Sequence, residues 1–508
     1  MAATLPATET VTVGPGPLRF DAVLGVARRD ARVELSPEAQ EAMARSRAAV
    51  EALADHERPH YGVSTGFGAL ATRHIPLDKR AQLQRSLIRS HAAGAGPEVE
   101  REVVRAMMLL RLSTLATGRT GVRPETAQAY AQMLNAGLTP VVHEHGSLGC
   151  SGDLAPLAHV ALALIGEGPV RDPRGELTTN PHPIELREKE GLALINGTDG
   201  MLGMLVLAVA DLGDLLATAD VAAAMSVEGL LGTDRVFAAD LQALRPHPGQ
   251  AASAANVRAL LGDSPIVASH RGPEDTRVQD AYSLRCWPAV AGAARDTLDH
   301  AAAVAQRELT SAIDNPVITE DGRTESNGNF HGAPLGYVLD FLAIAVADVA
   351  GMAERRTDRF LDVARSHGLP PFLADDPGVD SGLMIAQYTQ ASIVAELKRL
   401  AGPASVDSIP SSAMQEDHVS MGWAAARKLR RSLDGLARVI AIELLTAARG
   451  IALRAPLEPA AATAAVMAAL PGGPGPDRYL APEIEAASGL VRRGEIRRAA
   501  ETACGRLA

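Results

Sequence analysis

The stretch LRRSLDGLARVIAIEL, Leu429 to Leu444, carries Leu429, Leu433, Leu436, Ile440 and Leu444 at steps of three and four. That spacing sets all five on one face of an α-helix. Three further segments are long enough to be bundle helices, around Val290 to Ser311, Ala333 to Arg356 and Leu383 to Leu400. Composition points the same way. The 508 residues are 47% hydrophobic but only 3% aromatic, with Ala and Leu dominant. Rare β-branched and aromatic clusters favour helix over sheet. The expected fold is mainly α: a long central helical bundle with a smaller mixed amino-terminal part. The expected division is a part over residues 1–205 and a long-helix bundle with carboxy-terminal helices over 206–508.

The amino-terminal part reads as mixed. TVTVGPGPL (Thr10 to Leu18) suggests a short strand and turn. LSPEAQEAMARSRAAVEALA predicts a helix with Ser36 as its cap and Pro37 in its first position. YGVSTGFGAL (Tyr61 to Leu70) is glycine-rich and reads as an irregular loop. VEREVVRAMMLLRLSTLATG predicts a helix stopping at Gly118.

Several function classes fit poorly. A net charge of -11, spread along the chain, disfavours a nucleic-acid-binding surface. The three cysteines, Cys150, Cys286 and Cys504, have spacings that suit neither a disulfide framework nor a CxxC metal site. The amino terminus lacks a basic region followed by an apolar one, the mark of a signal peptide. The most apolar stretch, Met201 to Ala224, contains Asp211, Asp214 and Asp220. A membrane span rarely carries three acids, whereas a buried bundle helix can turn them toward partners. A cytoplasmic protein without membrane or nucleic-acid partners is expected.

GSLGCSGDLAPL, Gly146 to Leu157, holds the chemistry. It fits neither GxxxxGK[ST] nor GxGxxG, so it is no phosphate loop. Cys150 with His143 and His145 lacks a second ligand pair for zinc, and no metal is expected. The ordinary reading is that Ser151 or Asp153 caps the helix LAPLAHVALALIG. A second reading is chemical. In a tight Xaa-Ser-Gly turn, the unhindered Gly nitrogen can attack the carbonyl two residues back. Loss of water closes a five-membered ring. Loss of a second water from the serine leaves 4-methylideneimidazol-5-one, an electrophile built from Cys150, Ser151 and Gly152.

Eight blocks in order carry a resemblance: YGVSTGFG, RSLIRSHAAGAG, GSLGCSGDLAPLAH, LINGTDG, VQDAYSLRC, SAIDNPVI, NGNFHGAP and SSAMQEDHVSMG, over roughly residues 60 to 425. Together they resemble the aromatic amino acid ammonia-lyases, whose fold is fumarase/aspartase-like. Ser90-His91 with Gln415 to His418 is most similar to the histidine-specific members. The resemblance implies elimination of ammonia from L-histidine to give trans-urocanate, the first step of histidine degradation. The prosthetic group would form from Cys150-Ser151-Gly152, with no dissociable cofactor. A homotetramer with shared active sites is implied as well.

The resemblance also implies roles. Tyr61 would be the base, its phenol depressed from about 10 by nearby charge or hydrogen bonds. Asn196 would bond the ring carbonyl oxygen. Arg285 would fork onto the substrate carboxylate. Gln279, Tyr282 and Arg285 lie three apart and would share a helical face, Tyr282 near the ring and Gln279 near the polar end of the substrate. Glu416 and His91 would meet the imidazole, and Phe330 would pack against the electrophile or the substrate. The chain departs from the common pattern at Trp287, Ala289 and Met414, which bear on substrate choice. Competing readings are an aminomutase with the same electrophile, a lyase for another aromatic amino acid, and a helical scaffold without chemistry.

Overall fold

A computed structural model describes residues 9–54, 65–66, 75–272 and 278–508. The chain begins with β1 (Thr10–Val13), α1 (Phe20–Arg28) and β2 (Arg32–Leu35), with β1 and β2 paired in parallel from Thr10↔Arg32 to Val13↔Leu35. The connection through α1 is the crossover that parallel pairing requires. α2 (Pro37–Ala54) starts as its sequence predicts: Ser36 Oγ accepts the Ala39 amide at 3.2 Å. Next come α3 (Arg80–His91), β3 (Ala95–Glu98), α4 (Arg101–Ala116) and α5 (Pro124–Asn135). α4 gives way to a left-handed Gly118 two residues past its end, at φ +69°. Then follow β4 (Thr139–Pro140), β5 (His143–His145), α6 (Leu154–Leu164), β6 (Pro169–Arg171), β7 (Leu177–Thr179), α7 (Glu190–Ala193) and α8 (Asp199–Gly229).

The remainder is almost wholly helical: α9 (Ala239–Ala243), α10 (Pro248–Leu261), α11 (Pro265–Ala268), α12 (Tyr282–Arg285) and α13 (Trp287–Glu308), then a small hairpin of β8 (Val317–Ile318) and β9 (Thr324–Glu325). α14 (Ala333–Leu361), α15 (Met384–Leu400), α16 (Gly422–Ala452), α17 (Ala461–Ala469), α18 (Ala481–Arg492) and α19 (Glu495–Cys504) complete the chain. The long helices expected from periodicity are thus α13, α14, α15 and α16, and the mainly α expectation holds.

The chain divides into two compact units. The first comprises Met1–Leu207, Ala302–Asp340 and Pro403–Arg427. Among the described residues, every strand lies in it. Its core is α4, buried continuously from Val103 to Ala116 and packed by α1, α2 and α5. The second unit comprises Ala208–Ala301, Phe341–Gly402 and Lys428–Ala508. There the opening stripe is buried as its spacing requires: Leu429, Leu436, Ile440 and Leu444 are fully enclosed and Leu433 nearly so.

α8 and α14 are long and apolar enough to cross a membrane by length and composition, yet their apolar windows are 72% and 61% buried within the protein. The three acids of α8 have partners in the second unit. Asp211 pairs with Arg430 at 3.0 Å, Asp214 with Arg497 at 2.7 Å and Asp220 with Arg295 at 2.7 Å.

In the first unit, Lys189 just before α7 meets Asp314 at 2.5 Å, both side chains fully buried. Burial pushes the ammonium down and the carboxyl up, and their mutual attraction opposes both shifts. Removing one partner leaves a buried charge uncompensated. Lys189→Met is therefore expected to cost about 3–5 kcal/mol in denaturant unfolding. A loss under about 1 kcal/mol would show the pair contributes as little as an exposed one.

Candidate active site

The loop from Gly146 to Asp153 lies in the first unit and is strapped from two other segments. Gly149 O accepts Ser420 Oγ at 2.6 Å and the Gly332 amide at 3.0 Å. The Met421 amide donates to Leu148 O at 2.8 Å. Trp423 Nε1 donates to Glu144 O at 2.7 Å. A loop held at several carbonyls by distant chain cannot serve as a flexible linker.

Within the loop, Gly152 has φ +75°. A Cβ there would overlap the backbone of Gly197. Only glycine allows both the left-handed turn and the close approach. Asn196 Nδ2 donates to Ser151 O at 3.1 Å. Glu416 lies over the same tripeptide: Ser151 Oγ donates to its Oε1 at 2.8 Å and Cys150 Sγ to its Oε2 at 3.1 Å. Ser411 Oγ also donates to Oε2, at 2.9 Å. Burial, then Glu416, pushes the Cys150 thiol up to about 12, so it stays protonated.

The capping expectation needs correction. Asp153 sits at the amino-terminal cap position of α6, but its side chain makes no capping bond there. Its Oδ2 instead accepts the Gly200 and Met201 amides, both at 2.9 Å, at the start of α8. Its Oδ1 accepts Ser147 Oγ at 2.9 Å, and its own amide donates to Gly197 O at 2.7 Å. A carboxylate at a helix amino terminus satisfies amides that lack intrahelical partners. It caps the helix that follows Asn196, not the one that follows itself.

Beneath Asn196 lies Arg111, fully buried in α4 and missed in the sequence reading. Its Nη1 donates to Asn196 O and its Nη2 to Ile313 O, both at 2.8 Å. Asp199 stands 3.3 Å from Nη1. Arg105 and Arg111, within the apolar body of that helix, were the available signal, since a buried guanidinium requires partners.

His91 closes α3. Its Nδ1 lies 3.0 Å from Leu87 O and 3.0 Å from Ser90 Oγ, so a proton on Nδ1 satisfies the carbonyl and one on Nε2 leaves Nδ1 to accept from the hydroxyl. Burial pushes its pKa down, against the Leu87 bond and the charge of Glu416. His91 and Glu416 therefore share one electrostatic environment. Phe330 is half-buried in the turn before α14.

Gln279, Tyr282 and Arg285 lie in the second unit. The shared helical face is not observed. α12 begins only at Tyr282, because Ala281 is extended at ψ 154°. The three are nevertheless neighbours: Arg285 Nη2 donates to Gln279 Oε1 at 2.7 Å, and its guanidinium lies 4.7 Å from the Tyr282 ring centroid. Tyr282 is 70% exposed. Tyr61 lies outside the described residues.

A helical chain with a strapped Cys-Ser-Gly turn under an asparagine amide defines a class of enzyme. Residues 18–471 match the family described as "Aromatic amino acid lyase", and the chain belongs to that family. It is 64% identical to the histidine ammonia-lyase of Streptomyces avermitilis, over 98% of this chain and 100% of that one. Among solved structures, the tyrosine aminomutase of Streptomyces globisporus superposes with a TM-score of 0.91 at 38% identity, over 97% and 99% of the two chains. The histidine ammonia-lyase of Trypanosoma cruzi superposes at 0.88 and 35%, over 97% and 95%.

Asp153 yields a pH prediction. Burial raises its carboxyl to about 7, against its backbone and Ser147 bonds. A raised acid contributes stability that is complete below its unfolded value and lost as pH rises through its folded value. The melting-temperature advantage of the parent over Asp153→Asn should therefore shrink between about pH 4 and about pH 7 and level off above that. An advantage that stays constant over that interval would mean the carboxyl ionises well below 7 in the folded protein.

Proposed function

We propose that the protein eliminates ammonia from L-histidine to give trans-urocanate, using an electrophile formed autocatalytically from Cys150, Ser151 and Gly152. The observation that most supports this reading is the 64% identity, over nearly the whole chain, to a histidine ammonia-lyase. The tripeptide suits the group. Gly152 has no room for a Cβ, which also leaves its nitrogen unhindered, and Asn196 already donates to the Ser151 carbonyl. The 4-methylideneimidazol-5-one group supplies an electrophilic carbon that lets the substrate amine depart as ammonia.

The chain's own residues bind, orient and move protons. Arg285 receives the substrate carboxylate through its guanidinium, whose buried Nε has no hydrogen-bond partner among the described residues. Gln279 already bonds that guanidinium and assists at the polar end. Tyr282 contributes its hydroxyl to the chemistry, and Tyr61 takes the β-proton. Glu416 offers a carboxylate to accept an imidazole N–H, and His91 offers a second ring-nitrogen partner that donates or accepts according to its tautomer. Phe330 packs against the substrate.

We further propose a cytoplasmic homotetramer with shared active sites. Exposed Tyr337, Phe341, Ile344, Ile385 and Tyr388 support association, since apolar surface of this kind marks interfaces. A mass of 53.0 kDa by light scattering, that of one chain, would remove the tetramer.

Purified protein should release ammonia and ultraviolet-absorbing urocanate from histidine faster than it deaminates phenylalanine or tyrosine. A β-amino acid as main product would favour the aminomutase reading, which rests on the lower identity of 38%. The peptide holding Cys150 to Gly152 should be lighter by two waters. Ser151→Ala should abolish turnover with unchanged circular dichroism. Glu416→Gln and His91→Leu should each lower kcat/KM on histidine by about 10- to 100-fold, the loss of one charge-assisted or buried hydrogen bond. Full activity in Ser151→Ala would exclude the electrophile.

A further inference from the structure

α12 has four residues, too few to hold its own shape. Yet it carries Tyr282 and Arg285, one exposed and the other half-buried. Its rigidity comes from behind. Trp287, two residues past Arg285, is fully buried. Its Nε1 donates to Asp220 Oδ1 at 2.7 Å. Its ring lies 4.4 Å from the Arg356 guanidinium, a cation–π distance. Arg356 Nη1 donates to Ser283 O at 3.2 Å, inside α12 itself.

Both anchors are themselves held. Arg356 forks onto Glu443 through Nε at 2.5 Å and Nη2 at 3.0 Å, and Ser226 Oγ donates to Glu443 at 2.7 Å. Asp220 also accepts from Ser253, Asn256 and Arg295. Trp287 thus joins two buried acid–arginine clusters, and Arg356 passes that order to the α12 backbone. All of these residues lie in the second unit.

We infer that Trp287 is a positioning residue for Arg285 and Tyr282, acting with Arg356 to fix the segment that receives the substrate carboxylate. The inference rests on the carboxylate role proposed for Arg285. A small residue at 287 would lose both the indole N–H and the flat face that Arg356 covers.

The test compares full-length parent, Trp287→Phe and Arg356→Lys. Trp287→Phe keeps an aromatic face and deletes the bond to Asp220. Arg356→Lys keeps the charge near Glu443 and deletes the fork and the donor to Ser283, and it carries the test if the first variant does not fold. Two readouts are taken: steady-state kinetics on L-histidine, and hydrogen exchange of the peptide covering residues 278–286. KM should rise about tenfold with kcat within about twofold, since carboxylate placement is loosened while the electrophile is untouched. Exchange should quicken by about tenfold. The two-water mass deficit at Cys150 to Gly152 should persist. Unchanged exchange in both variants overturns the anchor, whatever the kinetics. Faster exchange with unchanged KM, or a fall in kcat at constant KM, overturns the positioning role. If the parent does not turn over histidine, the proposed function falls, and exchange alone decides whether Trp287 holds the segment.

Discussion

One carboxylate holds the loop region of the first unit together. Asp153 takes two amides from the first turn of α8 and a hydroxyl from its own loop, while its amide bonds Gly197. The loop ending in Asp153 and the loop leading into α8 are thereby fixed to each other through three short bonds. Everything else near Ser151 follows from that lock. Asn196 lies one residue before Gly197, so the backbone brings its side chain within reach of the Ser151 carbonyl, to which its Nδ2 donates. Gly152 can sit against the Gly197 backbone only because it has no side chain, and a Cβ on Gly197 would run into Arg111 and Asp199.

Glu416 enters this lock from another part of the chain. The segment from Ser411 to Trp423 reaches the tripeptide side through Glu416, the Gly149 carbonyl through Ser420 and the earlier strand β5 through Trp423. The carboxylate accepts from Ser151, Cys150 and Ser411 at once. Three neutral donors around one carboxylate substitute for water. A residue proposed to recognise imidazole is thus already shaped to accept N–H or O–H groups.

Where the determinants are local, the sequence was informative. The Leu429 to Leu444 stripe, the Ser36-Pro37 start of α2 and the stop near Gly118 each depend on neighbours within a turn or two, and each is observed. The acids of Met201 to Ala224 were also legible as ends seeking partners. The failures have one physical source. Asp153 was assigned to α6 because α6 is adjacent, whereas its amides come from nearly fifty positions away. Gln279 was placed on a helix by spacing alone, and the extended Ala281 breaks that helix. The bond from Ser151 to Glu416 spans 265 positions and leaves no local pattern.

Arg111, Lys189 and Asp314 have fully buried side chains, and that of Asp199 is almost so. An apolar set of similar volume would stabilise the fold at least as well, because desolvation consumes much of what such pairs return. Stability therefore does not explain them. What they share is position: Arg111 donates to the Asn196 carbonyl, Asp199 stands beside Arg111, and Lys189 holds the aspartate that neighbours the second carbonyl Arg111 uses, Ile313. A leucine in place of Arg111 would fill space but leave the Asn196 carbonyl without a donor and the peptide free to rotate. A guanidinium fork between two carbonyls fixes both their distance and their direction. The charge cluster is thus best understood as the device that orients the Asn196 peptide, with its desolvation cost offset by the large apolar core around α4.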